Sequence, residues 1–330
     1  MQELWFTRCP VPTATGVAAD LGWLDDEFGP DGIAVRSLQG GPDPWGRHVS
    51  RRRFTHQHFT HELSALIREG GNVPALWAKA RGRDTRLIGL TWIEERQVVL
   101  TTPGSSIRDA ADLRGRRLAL PVRTDAPVDF WRAMALRGFH GALSIAGLTL
   151  GDARLTDVYV KDDPGHWAPE LDALAAGDVD AVYVKGARAV EDAERRGLRV
   201  AVDLDAHPDP AVRVNNGTPR PITVDQSFLD TRPDLVIRFL RVLLDAVRWT
   251  AAYPGEAALV LGRETGAGAA GVAGAYGTPD LSIDLSEERL ALLADQERFL
   301  WEHGFLAEAV DVEAWADHTP LYGARLRRTA

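Results

Sequence analysis

Short apolar runs alternate with helix-like segments along the first two thirds of the chain, and this alternation limits the fold more than any other feature. The candidate strands are residues 4–6, 33–38, 86–91, 97–101, 117–120, 157–161, 180–184, 200–203 and 222–224. Helical patterns over 13–28, with Thr13 or Thr15 as the cap, and near 106–113 lie between them. Strands separated by helices are typical of α/β layers built on a largely parallel sheet. With 330 residues, 45% of them hydrophobic, the chain is long enough for two such domains.

Two changes of pattern predict where the chain passes between lobes. Pro103-Gly104 interrupts the first series of elements, and the Pro- and Asn-rich segment 207–220 precedes the candidate strand 222–224. We therefore expect residues 1–102 and 221–330 to form lobe 1, and residues 103–220 to form lobe 2. A chain that leaves one α/β lobe and later returns to it has the layout of the type II periplasmic solute-binding fold, with the ligand cleft between lobes.

Charge and composition exclude several classes of partner. The 38 Lys and Arg against 47 Asp and Glu give a net charge of −9, which disfavours nucleic acid and anionic membrane surfaces. We see no secretory leader and no apolar run of about 20 residues. The single cysteine allows no internal disulfide and suits a reducing compartment, so we expect a cytoplasmic protein. We also expect a monomer. No dinucleotide fingerprint or phosphate loop is present, and we expect no cofactor.

Cys9 follows the first candidate strand and precedes Pro10, at the carboxyl edge of the sheet. α/β proteins place ligand-contacting groups at this edge. Position alone favours a different interpretation, because a lone cysteine is usually a small buried hydrophobe without reactivity. Arg8 would lower the thiol pKa only if its side chain turned towards the sulfur.

His56, His58 and His61 form a cluster in the run FTHQHFTH. Three interpretations are open: a polar loop, a metal site, or a histidine that pairs with Cys9 as acid or base. The preceding segment 40–53 combines turn formers with positive charge and predicts a loop. Whether residues 40–62 close over a ligand is left open.

Arg68 precedes Glu69-Gly70-Gly71 at the end of a helix predicted over about 61–68. Two glycines let the backbone turn its N–H groups towards an anion, and a guanidinium adds a fixed fork of donors. The same residues are also typical of a helix that ends in Arg beside a glycine stop. Taken alone, the second interpretation is favoured.

Together these residues resemble the family of 2′-hydroxybiphenyl-2-sulfinate desulfinases, the aryl-sulfinate desulfinases of dibenzothiophene desulfurisation. The specific part of the resemblance is the ordered set CPVP at 9–12, HFT at 58–60, Arg68 ten residues after His58, and the glycines at 70–71. Similarity continues through 110–117 and 177–181 to the helix around 290–293, in segments that are generic to solute-binding folds.

The resemblance implies roles for five residues. Cys9 is the essential thiol, His58 its acid–base or orienting partner, Arg68 and the Gly71 amide the sulfinate anchors, and Trp131 an aromatic pocket residue. It implies hydrolysis of the carbon–sulfur bond of an aryl sulfinate, such as 2′-hydroxybiphenyl-2-sulfinate, to 2-hydroxybiphenyl and sulfite without a metal. The expected partner is a small-molecule aryl sulfinate. Cys9 either attacks sulfur as a thiolate or protonates the ring carbon.

The sequence also departs from the family pattern. Thr7-Arg8 replaces smaller uncharged residues, the stretch before His58 is rich in Arg, and the run 183–185 (YVK) replaces an aromatic-rich segment. A more polar sulfinate is therefore open as the substrate. The alternative function is a solute-binding protein for a sulfonate or sulfinate anion, in which Arg68 and Gly71 bind the anion and Cys9 is incidental.

Overall fold

The structure, a computed structural model, is an α/β protein. It describes residues 2–7, 11–38, 51–124, 126–160, 166–265, 272, 276–277 and 279–326. The strands are β1 Gln2–Phe6, β2 Ile33–Ser37, β3 Leu66–Glu69, β4 Thr85–Thr91, β5 Gln97–Thr101, β6 Arg117–Val122, β7 Arg154–Tyr159, β8 Val182–Lys185, β9 Arg199–Asp203, β10 Arg220–Asp225 and β11 Ile283–Asp284.

Fourteen α-helices are assigned within the described residues. They are α1 Ala14–Asp20, α2 Trp23–Phe28, α3 Arg51–Thr60, α4 Asn72–Ala80, α5 Phe130–Ser144, α6 Ala168–Ala176, α7 Ala187–Arg195, α8 Pro210–Arg213, α9 Gln226–Thr231, α10 Pro233–Ala252, α11 Pro254–Thr265, α12 Glu287–Glu302, α13 Val312–Trp315 and α14 Thr319–Arg325. None of these helices is both long enough and apolar enough to cross a bilayer.

The chain divides into two compact units. Unit 1 is Met1–Ile93, Gly217–Val272 and Thr278–Ala330, and unit 2 is Glu94–Asn216 with Ala273–Gly277. These boundaries lie earlier than the predicted crossings at 103 and 221. The first difference arises because β5 pairs antiparallel with β8 and β9, which places it in unit 2 and not in lobe 1.

Unit 1 is built on a six-stranded sheet in the order β11-β4-β10-β3-β1-β2. β1 pairs parallel with β2 and β3, whereas β10 pairs antiparallel with both β3 and β4. The sheet is therefore mixed, not largely parallel. As a result, the C-terminal ends of β1, β3 and β4 and the N-terminal end of β10 share one edge of the sheet.

Helix α10 packs mainly against other helices of unit 1 and meets the sheet where the Phe239 ring lies 6.5 Å from the Phe6 ring of β1. Leu235, Phe239, Leu243 and Ala246 are buried, and the helix packs against α1, α2 and α14. The predicted helix over 13–28 is two helices, since Gly22 adopts a left-handed conformation (φ 77°) between α1 and α2. Of the two predicted caps, Thr13 is the one that caps α1: its side chain accepts a hydrogen bond from the Gly16 amide.

Unit 2 contains a three-stranded sheet, β8-β5-β9, and the parallel pair β6-β7. Helix α5 begins at the cap Asp129, whose side chain accepts from the Arg132 amide. Gly138 lets α5 lie directly on the buried Tyr183 ring, because a Cβ there would be 2.1 Å from a ring carbon. The Tyr183 hydroxyl donates to Gln97 Oε1 at 2.7 Å, so this core holds a hydrogen-bonded polar group.

Three predicted elements differ from the structure. The helix over 61–68 is wrong: residues 66–69 form β3, after His61 and Ala65 both take positive φ. A short apolar run does not by itself distinguish a strand from a helix. The loop prediction for 51–53 is wrong, since α3 begins at Arg51, and residues 39–50 lie outside the described part. The helix near 106–113 is reduced to a 3₁₀ turn at Ala111–Leu113.

Candidate active site

Arg68 and His58 are in direct contact at the end of β3. Arg68 is fully buried, and its Nη2 donates to His58 Nε2 at 3.1 Å and to the Gly71 carbonyl oxygen at 2.9 Å. Its Nε donates to the His58 carbonyl oxygen at 2.8 Å. The structure thus joins three of the residues that the sequence singled out, although Arg68 stands in a strand and does not end a helix.

Gly70 makes this contact possible because it has no side chain. A Cβ at this position would lie 2.6 Å from His58 Cε1 and 2.9 Å from Arg68 Cζ and Nη2. The Gly70 amide donates to the Pro221 carbonyl oxygen at 3.2 Å. Gly71 then caps α4, so the positive end of this helix begins beside the Arg68 guanidinium.

The neutral form of His58 is favoured, and its tautomer follows from the Arg68 contact. Burial lowers the pKa of His58 well below its usual value, and the charges of Arg68 and Arg220 lower it further. Arginine only donates, so Nε2 accepts and the proton of the neutral ring lies on Nδ1. Within the described chain, Nδ1 is buried without a hydrogen-bond partner. His58 therefore presents an N–H group that suits an anionic acceptor.

Glu69 is buried on the other side of β3, among hydroxyl groups. Thr15 donates to Glu69 Oε2 through its Oγ1 at 2.5 Å and its amide at 3.1 Å. Burial raises the pKa of Glu69, and these bonds and the charge of Arg220 oppose the rise. The backbone of Glu69 is tied to the Thr7 hydroxyl, which donates to its carbonyl at 2.6 Å and accepts from its amide at 2.8 Å. These bonds fix the first strand beside β3 two residues before Cys9.

Cys9 itself lies outside the described residues. The role of its thiol therefore stays a prediction from the sequence alone. Whether residues 40–62 close over a ligand stays open, and residues 40–50 of this segment also lie outside the described part.

His61 has partners of its own. Its side chain is 1% exposed, with Nε2 3.1 Å from Thr223 Oγ1 and Nδ1 3.4 Å from Asp225 Oδ1. His58 contacts Arg68 instead, and His56 is exposed. Among the described residues, no group of three His, Cys, Asp or Glu side chains is arranged to hold a metal ion. The three histidines therefore do not form the shared metal site that their spacing suggested.

Arg220 is a residue of this site that the sequence analysis missed. It is 4% exposed and begins β10, directly after Thr218-Pro219. Asn72, the first residue of α4, donates to the Pro219 carbonyl oxygen at 2.9 Å, and Gln296 donates to Asn72 Oδ1 at 3.1 Å. Only the pairing of β10 with β3 brings Arg220 near His58, so no local motif reveals it.

Trp131 lies in unit 2, within an aromatic cluster. The Arg123 guanidinium carbon is 4.1 Å from the centre of its ring, and Trp167 meets it edge-on at 4.9 Å. Arg123 is in turn paired with the buried Glu170 at 2.7 Å. Of the atoms described, none accepts a hydrogen bond from the buried Trp131 Nε1. The cluster presents a rigid indole with a polar N–H.

Comparison with solved structures identifies the class of fold first. The periplasmic aliphatic sulphonate-binding protein SsuA of Escherichia coli matches with a TM-score of 0.70 at 16% identity, covering 96% of this chain and 91% of that chain. The desulfurization enzyme DszB, in a variant bound to biphenyl-2-sulfinic acid, matches with a TM-score of 0.74 at 24% identity over 98% of both chains. The predicted solute-binding-protein-like fold class is confirmed.

Sequence comparison then finds relatives with one named activity. The chain is 29% identical to 2′-hydroxybiphenyl-2-sulfinate desulfinases of Rhodococcus erythropolis and Rhodococcus qingshengii, over 95% of this chain and 91% of theirs. No family model matches the chain. The predicted resemblance to the aryl-sulfinate desulfinases is confirmed.

Gly70→Ala should destabilise unit 1 by about 1–3 kcal/mol, because the new Cβ displaces the His58 and Arg68 side chains from a packed site. Gly70 does not have a positive φ, so backbone strain does not contribute. Gly29→Ala is the matched control, since nothing lies within 4 Å of its added Cβ and its φ is −57°. Urea unfolding of both variants measures the difference. Equal midpoints for Gly70→Ala and the wild type would contradict the packing described above.

The lowered pKa of His58 makes stability depend on pH in a defined direction. The unfolded chain binds a proton near pH 6.5, whereas the folded chain resists it, so the free energy of unfolding falls as the pH drops below about 6.5. The His58 contribution approaches about 1.4 kcal/mol per pH unit between the unfolded and folded pKa values. Urea unfolding between about pH 7 and pH 5 should show a shallower decline for His58→Gln. An identical slope in both proteins would show that His58 takes up its proton equally in both states.

Proposed function

We propose that this chain is a desulfinase that cleaves the carbon–sulfur bond of an aryl sulfinate, with 2′-hydroxybiphenyl-2-sulfinate as the model substrate. The products are the phenol 2-hydroxybiphenyl and sulfite. The observation that carries the proposal is the similarity, over 95% of the chain, to enzymes named as desulfinases of this substrate. The buried Arg68–His58 contact supports it, because it forms where the resemblance places the sulfinate anchor.

Arg68 suits a sulfinate because the charge of this group is spread over two oxygens on a pyramidal sulfur. A guanidinium offers five N–H donors in a fixed plane, and three of those of Arg68 are held by His58 and Gly71. These bonds fix the orientation of the guanidinium before an anion arrives. A preorganised cation stabilises charge on the sulfinate oxygens without reorganisation during the reaction.

His58 acts as an orienting hydrogen-bond donor in this proposal. Since its pKa is lowered well below the usual value, an imidazolium form is unfavourable at neutral pH. The neutral ring has one proton, on Nδ1, and donates it to a thiolate or to a sulfinate oxygen. The proton that replaces sulfur on the ring carbon then comes from Cys9 or from water.

Two routes balance the reaction as a hydrolysis, and both use Cys9. In the first, the thiolate attacks sulfur, the electron pair of the broken bond goes to the aryl carbon, which takes a proton, and water releases sulfite from the thiol. In the second, the thiol protonates the aryl carbon, sulfur dioxide leaves, and its addition to water gives sulfite and restores the proton. The resemblance gives Trp131 the role of an aromatic pocket residue for the aryl group.

The cellular location and the oligomeric state are part of the same proposal. We place the enzyme in the cytoplasm, because a reactive single thiol is best kept reduced there. We also propose that it is a monomer. Cell fractionation and sedimentation of the purified protein test these two points.

The proposal predicts sulfite release that depends on Cys9. Purified wild-type protein and Cys9→Ser are incubated with 2′-hydroxybiphenyl-2-sulfinate, and sulfite and 2-hydroxybiphenyl are measured together. We expect equimolar products from the wild type and a loss of at least about 10³-fold in Cys9→Ser, because both routes need the thiol. Ser286→Ala, at the exposed cap of α12 in the same unit, is a control for substitution and should retain activity.

A solute-binding protein gives a different result in the same experiment. It would bind the sulfinate and return it unchanged, in wild type and variant alike. Saturable binding without any sulfite would replace the desulfinase proposal with the binding function. Near-normal turnover by Cys9→Ser would exclude both routes.

A further inference from the structure

Arg220 and Arg68 are two buried guanidinium groups at one edge of the unit 1 sheet. β10 runs antiparallel to β3, with Ile222 paired to Glu69 and the Pro221 carbonyl accepting from the Gly70 amide. Arg220, two residues before Ile222, therefore lies opposite Gly71, the proposed amide anchor, on the face of the sheet that Glu69 occupies. Arg68 enters the Gly70-Gly71 turn from the other strand.

Two neighbouring elements hold the backbone around Arg220. The Thr91 hydroxyl of β4 lies 3.5 Å from the Arg220 carbonyl oxygen. The Pro219 carbonyl accepts from Asn72 at the start of α4. Gln296 of α12 in turn donates to Asn72 Oδ1. The backbone at Arg220 is thus tied to the same helix terminus that follows the Gly70-Gly71 turn.

The charge of Arg220 acts at the place where the proposed site holds its anion. Together with the Arg68 charge, it lowers the pKa of His58, whose ring contacts Arg68 directly. Interactions between charges removed from water fall slowly with distance and are weakly screened. A buried cation that acts on the imidazole therefore also acts on an anion held beside that imidazole.

We infer that Arg220 is a second anion-holding residue of the sulfinate site, where its buried positive charge, placed opposite Gly71, raises the affinity for the anionic group. This inference rests on the proposed function for the identity of the anion. In this inference Arg220 acts on the anionic sulfur–oxygen group that sulfinate and sulfite share, and not on the aryl group.

A purely structural role for Arg220, as a counter-charge to Glu69, can be distinguished by experiment from anion binding. Its charge also acts on Glu69, which is buried between Thr15 and Thr91. If Arg220 served only to offset the Glu69 carboxylate, its removal would lower stability and leave anion affinity unchanged. Loss of anion affinity in a folded variant distinguishes the inferred role from this structural one.

The test uses inorganic sulfite as the probe, because sulfite has the headgroup without an aryl ring. Isothermal titration calorimetry compares the wild type with Arg220→Met and Arg220→Gln, which remove the charge, and Arg220→Lys, which keeps it. Arg289→Met is the matched control: Arg289 is also largely buried in unit 1 and binds the carbonyl oxygens of Leu90 and Ser282, but it is not among the charges that shift His58. Thermal melting identifies the variants that fold.

We expect sulfite affinity to fall by about tenfold or more in the neutral variants, by less than about threefold in Arg220→Lys, and not at all in Arg289→Met. A neutral variant that melts like the wild type and binds sulfite within twofold of it would overturn the inference. Equal losses in Arg220→Lys and Arg220→Met would also overturn it, because charge would then not be the cause. If the wild type did not bind sulfite, the inference would likewise be overturned.

Kinetics with the aryl sulfinate give a second readout. The substrate is already an anion before the bond breaks, so loss of Arg220 should raise KM more than it lowers kcat. Turnover in all variants with unchanged sulfite affinity would reject the role of Arg220 and leave the desulfinase proposal standing. Sulfite binding that weakens as expected, in a protein that turns over no sulfinate, would support Arg220 and reject the desulfinase proposal.

Discussion

The contact between Arg68 and His58 is the interaction on which the rest of the site depends. It requires a buried guanidinium in β3, a histidine near the end of α3, and a residue without a side chain at position 70 between them. The contact also selects the imidazole tautomer, because Arg68 can only donate to Nε2. One steric requirement, at Gly70, therefore controls the direction of a cation and the position of a proton.

The mixed sheet of unit 1 supplies the remaining groups. β10 lies between β3 and β4 and brings Arg220 to the edge at which Arg68 and Gly71 lie. The Thr7 hydroxyl ties the first strand to the backbone of Glu69 at that edge. A site with two buried cations disfavours a protonated histidine, and the lowered pKa of His58 follows from this arrangement as well as from burial. The same charge favours an anion, which connects the electrostatics to the proposed sulfinate chemistry.

The sequence predicted the fold class and the residues around Arg68, but not how they are arranged. Alternating strands and helices, with an ordered Cys, His-Phe-Thr, Arg and Gly-Gly set, were sufficient for the class and for the resemblance. Local pattern failed at 61–68, because four apolar residues fit either a helix or a strand until β1 and β10 pair with them. Arg220 and Thr15 were not predictable, since they reach the site through pairings over 54 to more than 150 residues of chain. Their sequence neighbours show no motif.

A crystal structure of Cys9→Ser with biphenyl-2-sulfinate is the sharpest test of Arg68 and His58 as the anion site, because it shows where the sulfinate lies when the bond cannot be cleaved. We expect sulfinate oxygens within hydrogen-bonding distance of the Arg68 guanidinium, with the His58 Nδ1 proton directed at the anion or at residue 9. A sulfinate group bound away from Arg68, with the Arg68–His58 contact unchanged, would show that this pair does not hold the anion.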